Sequence, residues 1–350
     1  MQHSPRAGRE GDVLAVVSQS GPTVSFFDAV DDRHLGTVEL PSEPHELCFD
    51  PAQRLLWCTT AYRSGYYHAN GGRRTELTAV DPDARRIVEV IDLAPEHGPH
   101  GLALDAARGL LYVSVEGSAD RPGGVVVIDT GTRRPVGRID TGAPGPHWFA
   151  IDPAGRWGYA TNKEAPFVSV VDLRRGTLTT KVEVPGSEGL AVSADGAHVF
   201  VAAPYAGSFS AGERRPATGI RVIDARTASV VDTLPTRNVV LPVHLTATGK
   251  LLVGEVRAEA DPVSRLGRQA PGRLTVFSAE TREELGGLDV GRFPLTITSS
   301  PDGRIAYVAC VVSSTVHLVD LETMRELTRL DIARRGEPGA HGLAYLPGPA

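Results

Sequence analysis

One phrase recurs seven times along the chain at intervals of roughly 40 to 55 residues, and an internal repeat of that period restricts the fold to arrays, solenoids and propellers. In register the copies are Pro-His-Glu-Leu-Cys-Phe from Pro44, Pro-His-Gly-Leu-Ala-Leu from Pro99, Pro-His-Trp-Phe-Ala-Ile from Pro146 and Ser-Glu-Gly-Leu-Ala-Val from Ser187. A degenerate copy follows around Leu241 to Leu245, then Pro-Leu-Thr-Ile-Thr-Ser from Pro294 and Ala-His-Gly-Leu-Ala-Tyr from Ala340. The second position of the phrase, here called the slot, holds His45, His100, His147 and His341, and Glu188 in one further copy.

Two more phrases recur once per unit. One is an apolar run ending in small or polar residues, such as Leu56-Trp57-Cys58-Thr59-Thr60 and Val199-Phe200-Val201-Ala202-Ala203. The other is a run that usually ends in Asp, from Val24 to Asp28, Leu77 to Asp81, Val125 to Asp129, Val168 to Asp172, Ile220 to Asp224 and Val316 to Asp320, with Leu274 to Ser278 the exception. Turn chemistry separates them, as in Asp152-Pro153-Ala154-Gly155 and Ser300-Pro301-Asp302-Gly303, and a weaker strand follows each Asp-ended run. Four short strands per unit, seven units and no helical periodicity predict an all-β, seven-bladed β-propeller of four antiparallel strands per blade, occupying 1–350 as a single domain. The chain opens on a second strand, Val13 to Ser18, and closes on a first strand, Gly342 to Leu346. The last blade is therefore expected to combine strands from both ends, which removes the open sheet edges and makes truncation at either end costly.

Composition narrows the function classes. A net charge of -6 and the absence of any Lys/Arg run argue against nucleic acid as a partner. Residues 1–12 are polar, with no apolar core of a secretory signal, and no apolar run approaches the ~20 residues needed to span a bilayer. The expectation is a cytoplasmic protein with no membrane partner. Cys48, Cys58 and Cys310 lie in strand-like stretches without metal or redox spacing and read as reduced, packed thiols.

Tyr159-Ala160-Thr161-Asn162, Val168-Ser169-Val170-Val171-Asp172, and Gly189-Leu190-Ala191 with Pro185 before it and Ser193, Asp195 and Gly196 after it resemble the YVTN-type seven-bladed propeller repeats. The resemblance spans nearly the whole chain and implies the fold. It leaves function open, because that family includes binding and surface proteins as well as enzymes. The His-filled slot is this chain's clearest departure from the repeat.

A first strand lines the central channel, so the slot before it sits at the channel mouth. Repeated in consecutive blades, the slot becomes a partial ring. Imidazoles converging there suit a divalent transition metal, Zn, Fe, Cu or Ni, better than Mg or Ca. His45, His100, His147 and His341 are the expected ligands. His244 is left open: the turn Thr246-Ala247-Thr248-Gly249 places Leu241 in the slot and His244 three residues along the strand, whereas anchoring on His244 requires a deletion. Leu295 cannot ligate and is expected in an apolar wall. His97, His68, His34, His198, His317 and His3 fall outside the slot and read as surface or turn residues.

The ends of the second strands should reach the same face. Glu188, Glu116, Glu164 and Tyr62 are the acid-base or ligand-orienting candidates there, since metal-bound imidazoles commonly donate to carboxylates. Arg63, Lys163, Tyr205 and Arg257 are candidates for holding a small-molecule substrate. No Gly-x-Ser-x-Gly elbow, phosphate loop or dinucleotide fingerprint is present.

Three functions remain open. The first is a metal-dependent lyase, cyclase or hydrolase using Lewis-acid chemistry, with the streptogramin lyases as a fold analogy. The second is an Fe or Cu oxidoreductase on the same ring, with the carotenoid-cleaving oxygenases as the analogy. The third is a non-catalytic binding or scaffold propeller.

Overall fold

The computed structural model describes residues 8–62, 72–203, 218–259, 268–334 and 339–349. Their regular elements are all strands, arranged as seven four-stranded antiparallel sheets. Six blades are continuous in sequence, spanning 47–92, 102–140, 146–183, 190–235, 239–292 and 294–331, numbered one to six. The seventh joins Ala340–Leu346 to Val13–Ser18, Thr23–Asp28 and His34–Glu39, the expected closure from both ends of the chain. Its seam pairs Val13 with Leu346 and Val16 with Leu343. Beside it, Asp12 accepts from Tyr345 Oη at 2.5 Å and from Gly348 N at 2.7 Å.

The inner strands read as unbroken apolar runs because both of their faces are buried. In Leu55–Tyr62, Leu55 and Trp57 pack against blade two while Leu56 and Cys58 pack against blade seven. The same split recurs around the molecule, giving one apolar cluster between each adjacent pair of blades. First strands also touch first strands in order right round to the start. Outer strands are more open, as in Thr177–Glu183, where exposed positions alternate with half-buried ones and only Val182 is buried.

The Asp that ends most third strands has a local job. Asp28, Asp81, Asp172 and Asp320 each accept the backbone N–H groups two and three residues on, closing the turn into the fourth strand. In the exceptional copy, Ser278 Oγ accepts from Thr281 N. A bulge follows at the same point in every blade, for example between Val170 and Val171 and between Val222 and Ile223.

The three cysteines are free, Cys58 and Cys310 buried and Cys48 half-buried, as packed thiols. Among the described residues no helix is long and apolar enough to cross a membrane. His317 departs from expectation. It is buried in a third strand, with Nδ1 2.7 Å from Glu326 Oε2 and Nε2 accepting from Gly291 N at 2.9 Å. His198 opens a strand and is half-buried, and His34, also first in its strand, is exposed as expected, whereas His3 and His68 fall outside the described residues.

Candidate metal centre at the channel mouth

The backbone fixes each slot before any side chain is considered. His45 N donates to Thr59 O at 2.8 Å, His100 N to Ser114 O at 2.9 Å and Glu188 N to Ala202 O at 3.0 Å. The carbonyls are held by the preceding blade: Thr59 Oγ1 donates to His100 O at 2.9 Å and Ser114 Oγ to His147 O at 2.5 Å. The glycine after the slot explains its own recurrence. Gly101 N reaches His147 O at 2.9 Å, Gly189 N reaches Leu241 O at 2.9 Å and Gly342 N reaches His45 O at 3.1 Å. A Cβ at Gly101 would stand 2.6 Å from His147 O, so close approach between blades requires glycine there.

The four slot histidines converge. Ring centroids lie 4.2 Å apart for His45 and His341, 4.6 Å for His45 and His100, 4.6 Å for His100 and His147, and 6.0 Å for His45 and His147. Two overlapping groups, His45/His100/His147 and His45/Glu46/His341, each present ligand atoms all within 4.8 Å of one another. The four imidazoles are no more than 5 % exposed. Nonetheless His45 Nδ1, His100 Nδ1, and both ring nitrogens of His147 and His341 lack a hydrogen-bond partner among the described residues. Buried polar nitrogens are ordinarily paired, and leaving one unpaired costs about 1–3 kcal/mol. The donor set therefore fits a transition ion, whose bonds would satisfy ring nitrogens that make no hydrogen bond among the described residues.

Glu46 was not anticipated from the sequence. It occupies the position that is glycine after His100, Glu188 and His341, it is buried, and its Oε1 lies 3.3 Å from His341 Nδ1 and 3.6 Å from His45 Nδ1. The signal was present as the one carboxylate in the glycine column of the repeat. Glu188 takes the fifth slot, with Oε2 3.1 Å from His147 Nδ1 and Oε1 3.5 Å from Lys163 Nζ.

Around His100 a second group assembles. Tyr62 lies edge-on to the imidazole at 5.5 Å and donates its hydroxyl to Glu116, whose Oε1 stands 3.9 Å from His100 Nε2. Arg73 Nε fixes the other oxygen of Glu116 at 2.8 Å and its Nη1 lies 2.6 Å from His97 Nε2, so His97 belongs to the rim of this network. Glu164 is exposed, and its charge reaches Tyr62.

The remaining candidates lie elsewhere. His244 occupies the strand three residues beyond Leu241, which holds the slot, and its Nε2 lies 2.9 Å from Ser299 Oγ. It belongs to neither convergent group. Arg257 pairs with Asp289 at 3.0 Å on the outer strand of its own blade. Arg63 and Tyr205 fall outside the described residues.

Electrostatics favour neutral ligands. Burial first, and then the neighbouring imidazoles or the Lys163 ammonium, hold His45, His100 and His147 well below the ordinary histidine range, and His341 falls to about 3. Burial pushes Glu46 well above the usual carboxylate range and also raises Glu188, with Lys163 opposing both. A buried cation would reverse the carboxylate shifts while keeping the imidazoles neutral.

No family model matches the chain. It is similar to the uncharacterized protein YncE of Salmonella typhi and of Salmonella typhimurium strain LT2, 29% identical over 254 residues that cover 71% of this chain and 64% of each relative. YncE of Escherichia coli O157:H7 is 30% identical over 186 residues, 51% of this chain and 47% of that one. The chain thus spans 64% or less of the length of these curated relatives. Among solved structures it resembles a hydrazine synthase chain of Kuenenia stuttgartiensis, with a TM-score of 0.61, 17% identity and coverage of 87% of this chain and 86% of that one. It also resembles the dihydro-heme d1 dehydrogenase NirN, with a TM-score of 0.60, 13% identity and coverage of 98% and 77%. At these identities the likeness is one of fold, the seven-bladed propeller.

Proposed function

We propose that this chain is a metal-dependent enzyme acting on a small organic molecule at the propeller mouth, by chemistry of the lyase, cyclase or hydrolase type. The observation that carries the reading is the convergence of four buried imidazoles, six of whose eight ring nitrogens make no hydrogen bond among the described residues. His45, His100, His147 and His341 would hold the ion, with Glu46 adding an anionic oxygen beside His45 and His341. A bound divalent ion supplies Lewis acidity, polarising an oxygen of the substrate or acidifying a bound water.

The protein's own groups divide the remaining work. Glu188 is the proton acceptor: burial raises its affinity for a proton, and Lys163 keeps part of its charge in place. Glu116, fixed by Tyr62 and Arg73, orients His100. Lys163, with a side chain 31% exposed above the buried ring, is the cation that would meet an acidic substrate group. That the dehydrogenase NirN and hydrazine synthase share the fold supports only the view that such a propeller can host chemistry.

An imidazole-rich set also suits Fe or Cu, so redox chemistry is the second reading. The cytoplasmic address belongs to the proposal too, supported by three unpaired cysteines.

The test is a reaction screen on protein reconstituted separately with Zn, Fe, Cu and Ni, covering lactone opening, β-elimination and oxygen consumption, beside Glu188→Gln. Turnover that follows the metal, disappears on chelation and falls about 10²- to 10⁴-fold in Glu188→Gln is the expected result. Oxygen consumption confined to Fe or Cu would select the redox reading. Metal loading with no turnover in any arm would leave a binding protein and overturn the enzyme reading.

A further inference from the structure

The ring of slots is two-sided. Five consecutive slots, those of blades seven, one, two, three and four, carry His341, His45, His100, His147 and Glu188. The other two carry Leu241 and Leu295. The strand pairings show the same division one layer out. Leu47 pairs with Cys58, Leu102 with Val113, Phe149 with Ala160, Val243 with Val253 and Ile297 with Val308, so the residue three beyond each partner is equivalent. That position holds Glu116 and Lys163 in blades two and three, but Val256 and Val311 in blades five and six; blade one, with the small Ala61, is the exception on the histidine side.

The apolar residues form one body. Leu241, Val256, Phe293, Leu295 and Val311 make a buried cluster separate from the seven that hold the blades together. Leu241, at 8 % exposure, is more exposed than any slot histidine, and Leu295, at 4 %, falls within their range of 1 % to 5 %. Glu255, the carboxylate nearest this side in sequence, is turned away from solvent and satisfied by Asn238 and Thr275. An apolar half-ring facing a polar half-ring in one mouth has the form of small-molecule sites, where a few polar groups orient a ligand and the rest of the lining is hydrocarbon.

We propose that the mouth takes an amphipathic small molecule, a short hydrocarbon chain ending in a carboxylate, with its head toward Lys163 and the histidines and its chain against Leu241 and Leu295. The head-group half of this inference rests on the metal reading above; the apolar half does not. The carboxylate is chosen by charge, because Lys163 stands beside Glu188 on the polar half, and a divalent ion held by neutral imidazoles and the one carboxylate of Glu46 would keep a net positive charge. The chain is chosen by the wall, which offers an incoming group nothing but carbon.

The test is a calorimetric titration of metal-loaded protein with acetate, butyrate, hexanoate and octanoate. A parallel series of ethanol, butanol and hexanol is titrated against metal-free protein. Affinity for the carboxylates should climb about two- to fourfold per added methylene, and the alcohols should show the same gradient more weakly. In Leu241→Asn/Leu295→Asn both gradients should flatten while acetate binds as before. Val256→Thr/Val311→Thr, which keeps side-chain volume, serves where the asparagines prevent folding. Affinity that does not change with chain length, or a gradient that survives these substitutions, would overturn the proposal. Failure of metal to load would instead sink the metal reading, and the alcohol series would still decide the wall.

Discussion

Glu46 carries more of the site's chemistry than its place in the repeat suggests. The same position is glycine in the two adjacent blades, at Gly101 and Gly342, so its carboxylate enters a space that those blades leave to backbone, and it lies against His45 and His341. Burial holds its proton on in the metal-free protein, and a metal would favour the carboxylate, so loading should release a proton. Calorimetry at pH 6 in buffers of different ionisation enthalpy should read that release, and Glu46→Gln should lose it; equal release from both proteins would assign the proton elsewhere. His244 gives a cleaner test of burial, because its ring nitrogen meets Ser299 and no carboxylate. Burial lowers it from 6.5 to about 4, so the unfolded chain binds the extra proton between those values. The stabilisation it contributes is complete above pH 6.5 and is lost as pH falls toward 4. Replacing it with Gln should therefore reduce the drop in urea midpoint between pH 7.5 and pH 5, whereas an unchanged drop would mean that His244 titrates normally.

At the level of the strand, the slot and its following glycine are one device. The slot carbonyl is gripped by the preceding blade, and the glycine brings two backbones into contact, which is why the phrase repeats so faithfully. Gly101→Ala should cost about 1–3 kcal/mol, since its Cβ would meet His147 O at 2.6 Å and Phe149 N at 2.8 Å. Gly145→Ala, with no atom within 4 Å of its Cβ, should fall within about 0.5 kcal/mol of the parent. Urea unfolding of the two variants separates these outcomes, and equal stabilities would refute the account of the glycine column. The same periodicity made strands, blades and the four histidines legible from the sequence, whereas it left His244 open between slot and strand, and the structure puts Leu241 in the slot, its carbonyl accepting from Gly189 N. What escaped was whatever occurs once. Glu46 was lost because a single substitution inside a repeat looks like drift. His317 was read as surface because the fourth strand of its own blade, with Glu326, and the outer strand of the preceding blade, at Gly291, meet it only in the folded ring. Arg257 lay in the right stretch but turns outward to Asp289, a choice that depends on a partner strand more than thirty residues away.

For the whole molecule, closure holds the ring at the geometry the site requires. Seven clusters between seven blades leave none with a free face, and the seam depends on Ala340–Leu346 joining Val13–Ser18. Deleting 340–346 also removes His341, so loss of structure must be read apart from loss of a ligand. The deletion is expected to abolish the cooperative thermal transition and to expose strand edges that aggregate on size exclusion, while His341→Ala keeps both behaviours of the parent. A deletion variant that melts cooperatively within a few degrees of the parent would contradict the closure. The central claim is that four blades bring their histidines to one ion, and elemental analysis of untagged protein beside a folded His100→Ala/His147→Ala variant tests it most directly. The account predicts about one equivalent of Zn, Fe, Cu or Ni in the parent and none in the variant; a parent that stays metal-free after reconstitution, or a variant that binds as much metal as the parent, would contradict it.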